Sequence, residues 1–313
     1  MSKALSSWLG LSLCILGYFC ATNNPASAQV TSDDTVNTQV TENGNTAEIT
    51  GGETRGDNLF HSFQDFSVPT GNEASFLNAN DISNIFSRVT GGDISNIDGL
   101  ISANGSANLF LINPAGIVFG EGARLDIGGS FYGSSASSIL FEDGEFSAAD
   151  LDNPPLLTIN APIGLGFRDQ PGDITVTGNG QGTRTTTDLI DTENALRVNS
   201  DKTFALVGGK LNLEGATIKT AGGRIELGSL QGNEQIGLTS TNKGFGLDYS
   251  GVQNFQDIQL SQTANIDASG LVAGDIQVQG RNISLTEVSQ IEASTLGDSP
   301  SQDLSTGQKL ERL

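Results

Sequence analysis

The chain has 313 residues, with 36 acidic side chains against 15 basic ones, so its formal net charge is −21. Because such a charge is repelled by phosphate backbones and anionic lipid surfaces, we expect no nucleic-acid partner and no peripheral membrane role. The 40 glycines and the low aromatic content of 6% favour an elongated repeat fold over a compact globule.

The N-terminus has the pattern of a secretory signal peptide. Lys3 precedes an apolar run from Leu9 to Phe19, and a polar stretch then ends in the small residues Ala26-Ser27-Ala28. We predict a signal peptide over residues 1–28, exported by the Sec machinery and removed by signal peptidase after Ala28. Both cysteines, Cys14 and Cys20, lie inside it, so the predicted mature chain contains no disulfide.

The segment from Val30 to about Phe76 has short alternating runs but lacks the repeat found further along the chain. An uncapped end of a repeat fold exposes apolar side chains and unpaired strand edges. We therefore expect this segment to form a strand cap.

A tight turn is predicted inside the segment Asn108–Phe131. Asn113-Pro114 is followed by Gly116 and by a new strand that begins at Ile117. Proline fixes its own φ and glycine accepts the positive φ that a chain reversal needs. The pattern predicts a rigid, surface-exposed corner between two strands.

The polar segment from Gln170 to Asp188 interrupts two strand-rich blocks and contains Gly178-Asn179-Gly180-Gln181-Gly182. We expect a long loop here, or a solvent-exposed hairpin formed by Ile174-Thr175-Val176-Thr177.

The C-terminal part carries an internal repeat. Ile258-Gln-Leu-Ser recurs as Ile283-Ser-Leu-Thr, and Ile266-Asp-Ala-Ser recurs as Ile291-Glu-Ala-Ser, both 25 positions later. Apolar and polar residues alternate along the whole chain, which predicts half-buried strands and no amphipathic helix in the mature protein. A period in the twenties built from strands and turns indicates a β-helix. The predicted fold is all-β: a right-handed parallel β-helix, a single-stranded solenoid, with an N-terminal antiparallel strand cap.

Several blocks together resemble the filamentous haemagglutinin N-terminal domain, also called the haemagglutination activity or two-partner secretion domain. Besides the Asn-Pro turn, the blocks are Asn58-Leu-Phe-His-Ser-Phe with Phe66-Ser-Val, Asn84-Ile-Phe-Ser-Arg-Val-Thr-Gly-Gly, Ile97-Asp-Gly, and Gly222-Gly-Arg-Ile-Glu-Leu-Gly-Ser. The sequences of these blocks are most similar to those of cyanobacterial members of the family. The resemblance covers about residues 30–250.

The resemblance implies a two-partner secretion domain over residues 29–250 and a set of partners. The repeat predicts further β-helix coils over 251–296, and the loss of periodicity from Gly297 onward predicts a disordered tail over 297–313 or the point where a longer protein has been cut. The implied partner is an outer-membrane β-barrel transporter with periplasmic docking domains. The implied location is extracellular, reached through the periplasm, with association to the cell surface as an option. No cofactor and no metal are expected.

The candidate site residues are Asn113, Pro114, Gly116 and Ile117, which match the Asn-Pro turn of the family. The transporter contacts them directly, or they form a turn that the coil geometry requires. Two positions depart from the family pattern. Ala115 stands where many relatives have Asn, and the stretch from Asn78 to Ile85 has no proline where relatives carry a second turn.

Two other functions stay open at this stage. The chain could be an adhesin that binds a surface glycan itself, with an unidentified ligand, or a β-helix enzyme acting on polysaccharides. His61, the only histidine, has no cysteine or second histidine to complete a catalytic or metal set. The acidic residues Asp81, Asp93, Asp98, Asp126, Glu142, Asp143 and Glu145 lack calcium-loop spacing. We therefore expect no enzymatic activity.

Overall fold

The computed structural model describes residues 29–152 and 155–297. The signal peptide predicted for residues 1–28 lies outside the described residues, and so does the tail predicted for residues 297–313 apart from Gly297. Within the described part the regular structure is entirely β-strand, and no helix there has the length and apolarity needed to span a bilayer.

The strands are numbered in chain order. They are β1 (Gln29–Ser32), β2 (Thr38–Asn43), β3 (Thr46–Gly51), β4 (Glu53–Arg55), β5 (Asn58–Ser67), β6 (Glu73–Phe76), β7 (Asn84–Val89), β8 (Ser95–Ile97), β9 (Leu100–Ala103), β10 (Asn108–Ile112), β11 (Ile117–Phe119), β12 (Arg124–Asp126), β13 (Phe131–Ser134), β14 (Ser138–Phe141), β15 (Gly144–Ser147), β16 (Gly164–Phe167), β17 (Ile174–Thr177), β18 (Leu196–Arg197), β19 (Thr203–Gly208), β20 (Leu211–Glu214), β21 (Thr217–Lys219), β22 (Arg224–Ser229), β23 (Glu234–Thr241), β24 (Gly244–Asp248), β25 (Ile258–Ser261), β26 (Asn265–Asp267), β27 (Asp275–Gln279), β28 (Ile283–Leu285) and β29 (Gln290–Glu292).

These strands form five sheets. Sheet A has the order β1-β5-β7-β10-β13-β19-β22-β27, with β4 paired to β5. Sheet B is β12-β9-β6-β3-β2, sheet C is β28-β25-β20-β17-β11-β8, sheet D is β15-β14-β16-β23-β24, and sheet E is β18-β21-β26-β29. Pairing within sheets C and E is parallel throughout, whereas sheet D is antiparallel.

The chain winds from sheet to sheet and returns one strand further along, as a solenoid does. One rung consists of β7, β8 and β9, and the next consists of β10, β11 and β12, each strand paired in parallel with its counterpart. In later rungs sheet E takes the place of sheet B, so that β19, β20 and β21 form one turn. Nearest-neighbour stacking of this kind supplies most of the stability of a solenoid.

Two apolar cores flank sheet A. Side chains such as Ile85, Leu109 and Phe131 point into the solenoid, where they pack with the isoleucines and leucines of sheets B, C and E. The next residue on each strand points the other way, because successive side chains of a strand alternate between faces. Phe86 and Phe110 therefore belong to a second core, which sheet D covers.

An aromatic column runs through this second core. The ring centroids are 5.2 Å apart for Phe60 and Phe86, 5.1 Å for Phe86 and Phe110, and 4.3 Å for Phe110 and Tyr132. One ring comes from each of four neighbouring strands, β5, β7, β10 and β13, so the column joins successive rungs on the outside of the solenoid. The prediction of half-buried strands is wrong for β7 and β19 of sheet A, which are buried on both faces.

The predicted fold is confirmed, and the C-terminal repeat has the register that its sequence indicated. Ile258 pairs with Ile283 and Ile266 with Ile291 in adjacent rungs. At the N-terminus, β1, β2 and β4 pair in antiparallel fashion and form the cap. The cap is smaller than the segment 30–76, because β3, β5 and β6 also pair in parallel with later strands.

The predicted hairpin at Ile174–Thr177 is wrong. These residues form β17, which lies between β11 and β20 in parallel register, with Ile174 and Val176 in the solenoid core. The apolar-polar alternation fits a hairpin and a solenoid strand equally well. The glycines that follow are turn signals in either case, so local sequence does not distinguish the two. The polar segment after Thr177 has no strand until Leu196.

Candidate functional site

The Asn113 side chain joins two consecutive rungs. Its Nδ2 donates to the Asp93 carbonyl oxygen and to Ser95 Oγ, both at 2.9 Å, and its Oδ1 accepts from the Ala115 backbone N–H at 3.0 Å. The Gly116 N–H donates to the Asn113 carbonyl at 2.9 Å and closes the turn around Pro114. Asparagine before proline suits such a turn, because its side chain bonds to the backbone two residues on.

Glycine is required at position 116 by both conformation and space. Its φ is +114°, and a Cβ there would lie 2.6 Å from the carbonyl oxygen of Asp173 on the next turn. The Gly172 N–H donates to the Pro114 carbonyl at 3.0 Å, so the turn is held from both sides. Ile117 then enters the solenoid core as the first residue of β11.

The prediction of a surface-exposed corner is wrong for most of the turn. Asn113 and Ile117 are each 0% exposed and Gly116 is buried, whereas Pro114 and Ala115 are half-buried. Burial arises because turns from the preceding and following rungs stack on this one. In the folded domain, a partner can therefore reach only Pro114 and Ala115.

The upstream stretch also forms a stacked asparagine turn, although it has no proline. Asn78 Nδ2 donates to the Asn104 carbonyl at 3.1 Å, and Asn78 Oδ1 accepts from the Asn104 N–H at 3.0 Å. Asn104 Nδ2 in turn donates to the Asn78 carbonyl at 3.2 Å. Amide pairing between rungs thus maintains this turn without a fixed φ.

Sheet A also carries an asparagine ladder that was not predicted from the sequence. Asn84 Nδ2 donates to Asn58 Oδ1, and Asn108 Nδ2 donates to Asn84 Oδ1, both at 3.0 Å. The three residues begin β5, β7 and β10, and each is followed by Leu or Ile and then Phe. This recurring triplet, read as a repeat, would have placed β5 in the first rung.

A buried arginine links the cap to the rungs and to sheet D. Arg88 on β7 is 1% exposed and donates from Nε to Ser62 Oγ at 2.7 Å and from a terminal nitrogen to Thr35 Oγ1 at 2.8 Å. Its other terminal nitrogen donates to the Ser147 carbonyl on β15. The guanidinium carbon lies 4.7 Å from the centre of the Phe146 ring, a cation–π distance.

Asp33 supplies the negative charge near Arg88. It accepts from Ser62 Oγ at 2.6 Å and from Thr90 Oγ1 at 2.8 Å. Burial works to raise the pKa of the Asp33 carboxyl, but the hydrogen bonds from Ser62, Thr35 and Thr90 hold that pKa below its ordinary value. The linker between β1 and β2 is thereby fixed to the first two rungs, a contact that no local sequence pattern indicates.

The remaining candidate groups have structural surroundings. Burial lowers the pKa of His61 to about 3, so the ring is neutral, and its Nδ1 lies 3.2 Å from Thr38 Oγ1. Asp98 accepts from the Gly122 N–H at 2.6 Å and from Thr70 Oγ1, which places it in a turn. Among residues 29–152 and 155–297, no group of three or more His, Cys, Asp or Glu side chains is arranged to hold a metal ion.

The fold and the stacked turns define a class of protein: a parallel β-helix closed at its N-terminal end by antiparallel strands, with an accessory sheet on one outer face. The model of the TPS secretion domain family matches residues 28–298. The chain therefore belongs to the TPS secretion domain family, where TPS stands for two-partner secretion.

Two proteins from Haemophilus influenzae are similar to this chain. A heme/hemopexin-binding protein is 32% identical over 79 residues, which cover 25% of this chain and 8% of that protein. The crystal structure of the HMW1 secretion domain has 20% sequence identity and a TM-score of 0.46, and the match covers 85% of this chain and 64% of that one. The chain thus spans less than two thirds of the length of either relative.

The family description assigns the domain to two-partner secretion. The division of the domain at residue 250 and the roles of Asn113, Pro114, Gly116 and Ile117 in recognition stay predictions.

Proposed function

We propose that this chain is the export-targeting module of a two-partner exoprotein. In this proposal the Sec machinery delivers it to the periplasm, signal peptidase cleaves after Ala28, and the periplasmic domains of a β-barrel transporter capture the chain before it folds. The match of the family model to residues 28–298 is the observation that carries the proposal.

The architecture supports folding after exit from the cell. Each rung bonds to the next through neighbouring strands, for example β7 to β10 and β10 to β13, so a rung can form as soon as the adjacent rung is present. Burial of the two cores then makes return through the transporter unfavourable without any nucleotide hydrolysis. We expect the folded domain to stay outside the cell.

The Asn-Pro turn contributes to export, in our proposal, by closing a rung. Asn113 is buried and all of its side-chain polar atoms are bonded within the protein. A transporter that recognises Asn113 directly must therefore do so while the chain is unfolded. Contact with the folded turn is restricted to Pro114 and Ala115.

The cap offers a surface for the transporter's docking domains. β1 and β2 are the outermost strands of sheets A and B, and in the described residues each pairs with one strand only. Free strand edges accept a further strand by main-chain hydrogen bonding. We propose that, before the domain folds, the segments that become β1 and β2 add as strands to the sheet edge of a docking domain during capture.

Secretion with and without the transporter tests the proposal. The full chain is expressed with or without an outer-membrane barrel transporter of the two-partner type, and the medium, the periplasm and the total cell extract are compared. We expect the protein in the medium only when the barrel is present, and degraded or retained in the periplasm otherwise. Equal release in the absence of the barrel would refute the proposal.

A further inference from the structure

The segment 178–195, called the strap below, runs across the outer face of sheet E. It passes so close to β21 that a Cβ on Gly182 would lie 2.0 Å from Thr217 Oγ1. A Cβ on Gly180 would lie 2.6 Å from the Gln262 carbonyl oxygen, which precedes β26. The strap therefore covers two successive rungs, and glycines mark the positions where it touches them.

Four charged side chains hold the strap down. Arg184 and Asp191 belong to the strap, Lys219 lies on β21 and Asp267 on β26. Lys219 Nζ is 2.7 Å from Asp191 and 3.2 Å from Asp267, and Arg184 is 2.9 Å from Asp267 and 3.7 Å from Asp191. All four side chains are at most 9% exposed. Arg197 on β18 adds a third cation, whose charge interacts with Asp191 and Asp267.

Other groups around the cluster complete the arrangement. Arg197 on β18 donates to the Thr192 carbonyl of the strap at 2.7 Å, and Glu292 on β29 lies in register beside Asp267. On the same outer face, Thr217 Oγ1, both polar atoms of the Asn265 amide and Glu292 Oε1 are buried without a hydrogen-bond partner among the described residues. Gly182 of the strap lies against Thr217, so burial of that unpaired hydroxyl opposes closure of the strap.

The strap is thus held by charges against an unfavourable polar surface. Removing one member of a buried ion cluster leaves the others without compensation, which strongly destabilises the arrangement. The solenoid itself does not depend on the cluster, because Ile218 and Ile266 point into the core from the opposite face of the same strands. The strap can therefore open while the rungs stay folded.

We propose that residues 178–195 form a latch that closes only after the rungs of β21 and β26 have both formed. The partners of the strap lie far downstream: Asp191 pairs with Lys219, 28 residues later, and Arg184 with Asp267, 83 residues later. Closure therefore reports that the chain has folded as far as residue 267. This is a property of the folded chain and stands whether or not the export function holds.

Trypsin tests the latch, because Arg184 is itself a cleavage site that the closed cluster hides. The mature chain and the variants Asp191→Asn and Asp267→Asn are digested briefly and the fragments are identified by mass spectrometry. We expect cleavage after Arg184 to be at least tenfold faster in both variants, with cleavage after the exposed Arg168 unchanged.

The control is Asp257→Asn, which removes an exposed ion pair with Arg281 at 2.8 Å, away from the strap. It should leave cleavage after Arg184 at the wild-type rate. Unchanged cleavage in Asp191→Asn and Asp267→Asn would overturn the proposal. Faster cleavage after Arg184 that is accompanied by equally faster cleavage after Lys219 on β21 would also overturn the proposal, because the rung would then be opening together with the strap. Asp191→Asn, confined to the strap, keeps the test valid if Asp267→Asn folds poorly.

The order of folding needs a separate measurement on the wild-type chain. Refolding is started by dilution from urea, and short pulses of trypsin are given at increasing times. Protection of the bond after Arg184 should appear no earlier than protection of the bond after Lys219. Earlier protection at Arg184 would show that the strap closes before its partners are in place, which would contradict the proposal.

Discussion

Replacing Asn113 by Ala should destabilise the folded domain far more than a change at the neighbouring proline. The substitution removes two hydrogen bonds donated by Nδ2 and one accepted by Oδ1, and it leaves the buried Ser95 hydroxyl without this partner. At about 1 kcal/mol for a typical bond and about 1–3 kcal/mol where a buried partner is left unpaired, we expect a loss of about 3–5 kcal/mol. This is a large part of the roughly 5–15 kcal/mol that stabilises a domain.

Pro114→Ala is the matched control in the same turn. Pro114 is half-buried, and the main effect of its loss is a more flexible unfolded chain, about 0.4–1 kcal/mol. Urea unfolding of the purified mature chain, followed by circular dichroism, measures the free energy of unfolding of both variants. A loss below about 1 kcal/mol for Asn113→Ala would show that these buried hydrogen bonds do not stabilise the domain.

The same pair of variants separates a role in the fold from recognition of the folded turn. If the turn acts through the fold, secretion should fall with Asn113→Ala and stay close to normal with Pro114→Ala. If the transporter reads the folded turn, Pro114→Ala should reduce secretion although stability is almost unchanged. Secreted protein is measured in the medium relative to the total synthesised.

Three further predictions concern buried polar groups. Arg88→Met should lower the free energy of unfolding by about 3–5 kcal/mol, because Asp33 and the Ser147 carbonyl lose their cationic partner. Urea unfolding measures this loss, and a change below about 1 kcal/mol would contradict the stabilising role of Arg88 between the cap and sheet D. The pKa of His61 is about 3 in the folded protein and 6.5 ordinarily, so the stability contributed by the neutral ring is present above pH 6.5 and is lost as the pH falls towards 3. His61→Gln should remove this part of the acid sensitivity. An unchanged dependence of the free energy of unfolding on pH would contradict this prediction. Burial raises the pKa of the Glu226 carboxyl above its ordinary value of 4.5 despite the ion pair with Arg224. The stability contributed by the protonated carboxyl is therefore complete below pH 4.5 and falls as the pH rises through the folded pKa. Glu226→Gln should flatten the dependence of the melting temperature on pH, and an equally steep dependence would contradict this prediction.

The sequence predicted the features that depend on local pattern. Alternation of apolar and polar residues indicated strands, and the repeat at Ile258 and Ile283 indicated which rungs pair. The turn at Asn113 was placed correctly between two strands, since Asn, Pro and Gly have strong local preferences. These signals lie within a few residues of one another or recur at a fixed spacing.

The features that were missed depend on residues far apart in the chain. The burial of Asn113 arises from turns stacked on either side of it, and the strap is held by a residue 83 positions away. Arg88 reaches Ser147 across 59 positions, in a sheet that lies outside the solenoid. No local pattern encodes such contacts. Only the Asn58, Asn84 and Asn108 triplets offered a signal that a search for repeats would have found.

Export of a foreign passenger is the decisive test of the proposed export function. Residues 29–297 are placed behind a Sec signal peptide and in front of a cysteine-free passenger, and the fusion is expressed with and without the barrel transporter. We expect the passenger to reach the medium only when both the domain and the barrel are present. Retention of the fusion in the periplasm beside a functional barrel, or its release without one, would show that the domain does not direct export.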